Sequence, residues 1–240
     1  MNNADEIIRK IAASLEQEPR VNLHAYPIQI DYLDGVATLT GETEDIAAKK
    51  IALEIAGAVP GVSAIVDRLH VQPAEQMEDG EIRDHVCNAL LSEQLLEAYA
   101  IRALIKGSME TVREPVTPFG AIEVEVINGV VTLNGQVGSL SQKRITGVLA
   151  WWVPGSSDVV NGLEVAPPEE DNDDEVVDAI RLMLEKDPFV NATQIRVTCR
   201  NYVVTLEGLV STESERRMAE ADTWYVFRVD RVKNLLQTKE

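Results

Sequence analysis

The residue types that could do chemistry are few in this chain, and their spacing is poor for it. His24, His70 and His85 stand far apart, and no CxxC or HExxH sets ligands at metal spacing. Cys87 and Cys199 are the only cysteines. One falls in a helical pattern and one in a strand pattern, which reads as two buried structural thiols rather than a disulfide or redox pair. No GxGxxG and no P-loop is present. Ser139 and Ser141 lie close to Lys143, but GSLSQK after a strand reads as a helix N-cap. The acidic run PPEEDNDDE (167–175) lacks the ligand order of an EF-hand loop and reads as a solvated linker or loose N-cap. No catalytic residue, metal or cofactor is expected.

What remains are residues suited to binding. Trp151-Trp152 and Trp224-Tyr225 occupy matching positions in two helical patterns. At about 100° per residue, the core stripe marked by Ile51, Ile55 and Val59 in the first copy puts Trp152 and Tyr225 at its edge. Trp151 and Trp224 then point outward. They pack against a neighbouring repeat, or they await a foreign protein or a membrane interface. Three basic pairs, Lys49-Lys50, Lys143-Arg144 and Arg216-Arg217, start the same helices. Their plain reading is i,i+4 pairing with nearby acids; their sharper one is contact with lipid headgroups.

The elements that position these residues come in three copies. LDGVATLTGET (33–43), INGVVTLNGQV (127–137) and RNYVVTLEGLV (200–210) read as one hairpin used three times. Gly35, Gly41, Pro60 and Gly61 recur 94 positions later as Gly129, Gly135, Pro154 and Gly155. The third copy lies at an offset of 167, with Gly208 matching Gly41. A helix precedes each hairpin, shown by Ile7, Ile11 and Leu15, by Ile82, Val86 and Leu90, and by Val176, Ile180 and Leu184. Asp34-Gly35 and Asn128-Gly129 suit a two-residue turn with positive φ. A second helix and a final strand close each unit. The order αββαβ predicts an α+β fold of three tandem modules, each a small mixed three-stranded sheet with two helices on one face.

The module boundaries fall at 1–76, 77–168 and 169–240. In the second module the first helix lies 75 positions after its counterpart but the hairpin lies 94 after, so 19 residues are inserted near 92–118. LLEAYAIRALIKGSM within it has a helical pattern and REPVTPFG is loop-like, which predicts a longer first helix and a decorated loop, or else a docking arm. The third module has Asn201-Tyr202 at its turn, where Tyr is disfavoured at positive φ, so another turn type is expected there.

Composition bounds the partners. The net charge of -18 and pI of about 4.6 disfavour nucleic acid and anionic surfaces at long range. Met1–Lys10 has no basic n-region and no apolar h-region, and no apolar run spans a membrane. A cytoplasmic location is expected, or a periplasmic one if a leader has been removed.

The motif DGVATLTG with PGV (Gly35, Gly41, Pro60, Gly61, Val62), its second copy NGVVTLNG with PG (Gly129, Gly135, Pro154, Gly155), and VVTLEG (Gly208) resemble the BON domain family, over nearly the whole chain. The resemblance implies non-catalytic αββαβ modules whose glycines make turns. It also implies attachment to phospholipid membranes or envelope components, often under osmotic stress. Two readings stand: a phospholipid-associating protein, which resemblance favours, and a cytoplasmic protein–protein scaffold working through sheet edges or the Trp face, which composition favours. Self-association is open under either.

Overall fold

The computed structural model of the protein describes residues 3–239. The chain forms two compact units, one up to Gln72 and one from Pro73 onward.

The first unit is one module: α1 (Asn3–Glu16), β1 (Ile28–Leu33), β2 (Val36–Thr43), α2 (Ile46–Gly57) and β3 (Ala64–Val71). The sheet order is β1-β2-β3, antiparallel across the hairpin and parallel after the α2 crossover. Alternation along β2 buries Ala37 and Leu39, and the helices bury Ile7, Ile11, Leu15, Ile51, Ala52 and Ala56 in the same core. The other face of the sheet carries no helix. Asp45 caps α2, its side chain accepting from the Ala48 amide at 2.8 Å.

The second unit holds two modules. The middle one contains α3 (Asp79–Ser92), β4 (Tyr99–Ile105), β5 (Ser108–Arg113), β6 (Gly120–Ile127), β7 (Val130–Val137), α4 (Leu140–Trp151), β8 (Asp158–Asn161) and β9 (Glu164–Val165). The last contains α5 (Asp173–Lys186), β10 (Ile195–Arg200), β11 (Val203–Val210), α6 (Glu213–Tyr225) and β12 (Arg231–Thr238). The last sheet runs β10-β11-β12; the middle one is longer, β5-β4-β6-β7-β8, with β9 also on β7. The α+β architecture of three modules read from the sequence is the one observed.

Gly41, Gly135 and Gly208 lie two residues before the end of the second strand of each hairpin, at φ of 148°, 110° and 145°. A Cβ at these places would run into the backbone carbonyl of Pro27, Ala121 or Gln194 on the neighbouring chain segment. Only glycine allows that approach, which accounts for the fixed spacing of the repeat.

Two expectations are corrected. The insertion is not a longer helix. After α3 it makes a 3₁₀ turn (Gln94–Leu96) and then two strands, β4 and β5, that extend the middle sheet. YAIRALI has alternating and β-branched residues, and the Lys106-Gly107 turn at φ 50° and 81° forms a two-residue hairpin. Pairing with β6 overrode the helical propensity of LLEAY. The turn of the third module, in turn, keeps the same left-handed geometry, with Asn201 at φ 51° and Tyr202 at 59°.

What holds Tyr202 in that conformation is a carboxylate. Asp173, at the start of α5, accepts from the Asn201 and Tyr202 amides at 2.8 and 2.9 Å. Asp79 at the start of α3 does the same for Asn128 and Gly129, at 2.9 and 2.8 Å. The guanidinium of Arg228 lies 4.4 Å from the Tyr202 ring centre. The first module has Ala4 at the matching place, so its turn lacks this clamp.

Candidate functional site

Most of the binding residues expected from sequence meet at the junction of the second and third modules. Trp151 stacks on Tyr225, ring centres 5.5 Å apart and 18° between planes. The Trp152 indole N–H donates to Asp222 Oδ1 at 2.8 Å. Trp224, expected to point outward, is fully buried. Its helix α6 is packed on its own sheet, on α5 of its own module and on α4 of the middle module, so a face that a single module would leave open is partly closed by its neighbour. In this unit the aromatic face is an internal joint.

The basic pairs are also largely committed. Buried Lys49 donates from Nζ to the Leu69 carbonyl at 2.7 Å and lies 3.1 Å from Asp67. Arg216 has the matching role, its Nε donating to the Leu236 carbonyl at 3.1 Å. Lys143 sits 5.1 Å from the centre of the Phe227 ring, and burial lowers its pKa. Arg144 is buried and paired with Asp171, which also lies 3.7 Å from Arg228. Lys50 is half-buried on α2. Arg217, with 75% of its side chain exposed, lies 3.8 Å from Glu213 one turn earlier on α6, an i,i+4 pairing.

The acidic run is stitched into the same joint rather than loosely solvated. Glu169 accepts from the Leu140 amide at 2.7 Å, and Asn172 caps α5 through the Asp174 and Glu175 amides. Glu169 serves a helix N-terminus, Asp171 pairs with Arg144 and Asp173 holds the turn amides, while Glu170 and Asp174 face solvent.

One group in the joint is unusual. Asp222 is 5% exposed, and its Oδ2 meets no hydrogen-bond donor among the described residues. Burial raises its pKa to about 7, against the lowering effect of the Trp152 hydrogen bond, and the adjacent Asp187 carboxylate raises it further. A proton on Oδ2 would bridge the two carboxyls. Sequence offered no signal for this pair, because Asp187 and Asp222 lie on different elements with no repeat partner in common.

The insertion supplies the exposed apolar surface. Leu95 is 42% exposed, Phe119 65% and Val116 fully exposed, and Met109 and Val112 of β5 face solvent as well. Five of the large apolar side chains left in solvent thus fall within residues 95–119. Leu95 and Phe119 border a cleft of about 540 Å³ that also takes in Ala98, Tyr99, Gly138 and Gln142. Part of its polar lining is satisfied internally. The Tyr99 hydroxyl donates to Gln142 Oε1 at 2.7 Å and accepts from the Gly138 amide at 2.9 Å, while Gln142 Nε2 donates to the Leu95 carbonyl at 3.1 Å. Arg113 is folded inward onto the carbonyls of Leu91, Leu96 and Tyr99, which anchors β5. Gln94, Glu97 and Ser139 complete the lining of the cleft, whose exposed surface is more apolar than polar; the Ser139 hydroxyl is engaged as the N-cap of α4.

Among the described residues no group of three or more His, Cys, Asp or Glu side chains is placed to hold a metal, and no helix is long and apolar enough to cross a membrane. Cys87 and Cys199 are free thiols, their pKa values pushed up by burial to about 11 and about 12.

Three hairpins of one geometry, each closed by a glycine against a neighbouring carbonyl and followed by a helix and parallel strand, define the class: the chain belongs to the BON domain family, whose model matches residues 3–73, 100–167 and 172–240. It is similar to the osmotically-inducible protein Y of Escherichia coli strain K12, 27% identical over 158 residues that cover 66% of this chain and 70% of that one. Among solved structures it is similar to the C-terminal domain of CdsD, a structural protein of the type III secretion system of Chlamydia trachomatis, at 13% identity and a TM-score of 0.26 with both chains fully covered. A second structure of CdsD matches at 14% identity and a TM-score of 0.25, covering 98% of this chain and 94% of that one.

Proposed function

We propose that the protein is a non-catalytic binding protein of the osmotic-stress type that associates with phospholipid surfaces, and that the insertion of the second module makes the contact. The observation that carries this is the cluster of exposed apolar side chains at Leu95, Val116 and Phe119 beside the apolar cleft. Contiguous exposed apolar surface marks a contact site for protein or membrane. The family resemblance selects the membrane, and the relative's name supports the osmotic setting.

The charges agree with shallow insertion rather than headgroup neutralisation. Glu97, Glu110 and Glu114 lie close by, against Lys106 and the inward-folded Arg113. Burying a large apolar side chain contributes roughly 1.5–3 kcal/mol. Two or three such residues give weak, reversible binding in the millimolar to high micromolar range, by order of magnitude. The three-module chain gains further if other modules touch the same surface.

The test is vesicle flotation of the full chain with phosphatidylcholine and with phosphatidylglycerol-containing vesicles at physiological salt. Wild type floats with both. A Val116→Glu, Phe119→Glu variant with unchanged circular dichroism stays at the bottom. Wild-type protein that floats with neither vesicle refutes the reading.

A further inference from the structure

The three sheets each leave one face without helices, and the register shows which residues share those faces. On the last sheet Arg196 lies beside Glu207, Thr198 beside Thr205 and Arg200 beside Val203. Across the parallel pair Val203 lies beside Arg231, Thr205 beside Lys233 and Glu207 beside Leu235. The open face therefore carries Arg196, Arg200, Arg231 and Lys233 against Glu207, a net charge of +3 in a module of a chain at -18. Among the described residues Arg196, Arg200 and Lys233 enter no ion pair. Leu209 and Leu235, 42% and 57% exposed, sit among these bases.

The same positions of the middle sheet have the opposite sign. Both hairpins pair in the same register about Gly135 and Gly208, so Glu123 stands where Arg196 does and Asp158 where Arg231 does. Ile127 and Val160 stand where Arg200 and Lys233 do, and are 54% and 49% exposed. With Glu125 and Glu164, the strands of this face hold four acids against Arg102, a net charge of -3. Two sheet faces built on hairpins of the same register thus carry opposite net charge around exposed apolar side chains.

We propose that the basic sheet face of the third module docks on the acidic sheet face of the second module of another copy of this chain. Helix-free sheet faces pack at about 10 Å with aligned strands, and like twist makes the surfaces compatible. Complementary charge fixes the orientation and excludes pairing of like faces. Both faces belong to one compact unit, so each copy offers one of each. The contact is heterologous: it closes into a ring or grows into a filament. An eight-residue strand is about 27 Å long, and three strands span about 15 Å with side chains, so the contact buries on the order of 400 Å² per partner. That is about half of a standard interface, and association is weak and salt-sensitive.

Sedimentation velocity of the full chain over a range of concentration tests this, at about 50 mM and about 500 mM salt. Wild type associates at high concentration in low salt, and at least tenfold less in high salt. The basic-face variant Arg196→Glu, Arg200→Glu, Lys233→Glu and the acidic-face variant Glu123→Lys, Glu125→Lys, Asp158→Lys each sediment as monomers. Mixed together, they co-assemble, because each again meets an opposite face. The substitutions are at solvent-facing positions, and unchanged thermal melts confirm folding. Wild type that stays monomeric at all concentrations overturns the proposal. So do variants that associate like wild type, or a mixture that fails to co-assemble. A basic-face variant that keeps its mass but loses binding to phosphatidylglycerol vesicles gives that face to lipid, and also overturns it.

Discussion

Replacing Asp222 by Asn should stabilise the second unit at neutral and alkaline pH, because it replaces a buried ionisable carboxyl with a neutral amide. Protonation is the cause. In the unfolded chain Asp222 titrates near its ordinary value of 3.8; in the folded chain it titrates at about 7. Below 3.8 both states hold the proton and the group costs nothing. Above 3.8 the unfolded chain releases its proton while the folded one keeps it, so stability falls as pH rises, until the folded group also ionises near pH 7. A displacement of this size amounts to roughly 4 kcal/mol at about 1.4 kcal/mol per pH unit. Asn keeps the acceptor for the Trp152 N–H and offers a donor toward Asp187, with no charge to desolvate.

The assay is urea denaturation followed by tryptophan emission. All three tryptophans, 151, 152 and 224, lie in the second unit, so the emission is silent about the first. At pH 8 the Asp222→Asn variant is expected to be more stable than wild type by about 2–4 kcal/mol, and at pH 4 by much less. An Asp187→Asn variant should recover part of the gain, since it removes the like charge that faces Asp222. If Asp222→Asn is no more stable than wild type at pH 8, or if the two keep the same pH slope, the assignment of a carboxyl held protonated in the joint is wrong.

Other outcomes follow from the same geometry. Asp79→Ala or Asp173→Ala removes two hydrogen bonds to a left-handed turn and should cost about 1–2 kcal/mol each, whereas Ala4→Asp should stabilise the first module; thermal melts read all three. Hydrogen bonds from the Tyr202 and Asn201 amides hold the Asp173 pKa below its ordinary value, so its contribution is present above that value and disappears as pH falls through the depressed one. Gly135→Ala or Gly208→Ala should cost about 3 kcal/mol or more, because Cβ meets a backbone carbonyl that cannot move without breaking the hairpin. Both thiols should react with a disulfide reagent at pH 8 only slowly until urea unfolds the chain, since burial holds them as thiols.

The repeats made the fold legible. A glycine at fixed offset, an Asp-Gly or Asn-Gly turn and helical stripes such as Ile7, Ile11 and Leu15 are local signals, and three copies of each leave little freedom. The insertion was misread because its strands are stabilised by pairing with β6, a contact with no local signature. The third turn was misread because Asp173, far away in sequence, supports a Tyr that local sterics disfavour. The outward orientation expected for Trp224 was misread. A helical wheel of one module shows which face its own core leaves uncovered, and Trp224 sits on that face, but the neighbouring module partly closes it. The clamp aspartates were visible in principle: Asp79 and Asp173 keep the offset of 94 that marks the second and third first helices. The open-face charges became readable only once strand register was known.

The joint between the second and third modules also changes which probe can report on lipid. Trp151 and Trp152 on α4 are engaged with Tyr225 and Asp222 of α6, away from the proposed contact at Val116 and Phe119. Val116 is fully exposed, and a Val116→Trp substitution places a reporter in the proposed contact without disturbing packing. The most direct measurement is the emission of this variant, corrected for wild type, on titration with phosphatidylcholine and phosphatidylglycerol vesicles carrying a shallow headgroup-region quencher. A blue shift with quenching, saturating with lipid, is the predicted result. Emission that stays at the wavelength of a water-exposed tryptophan, at lipid concentrations where the protein floats with vesicles, would place the contact elsewhere and contradict the account.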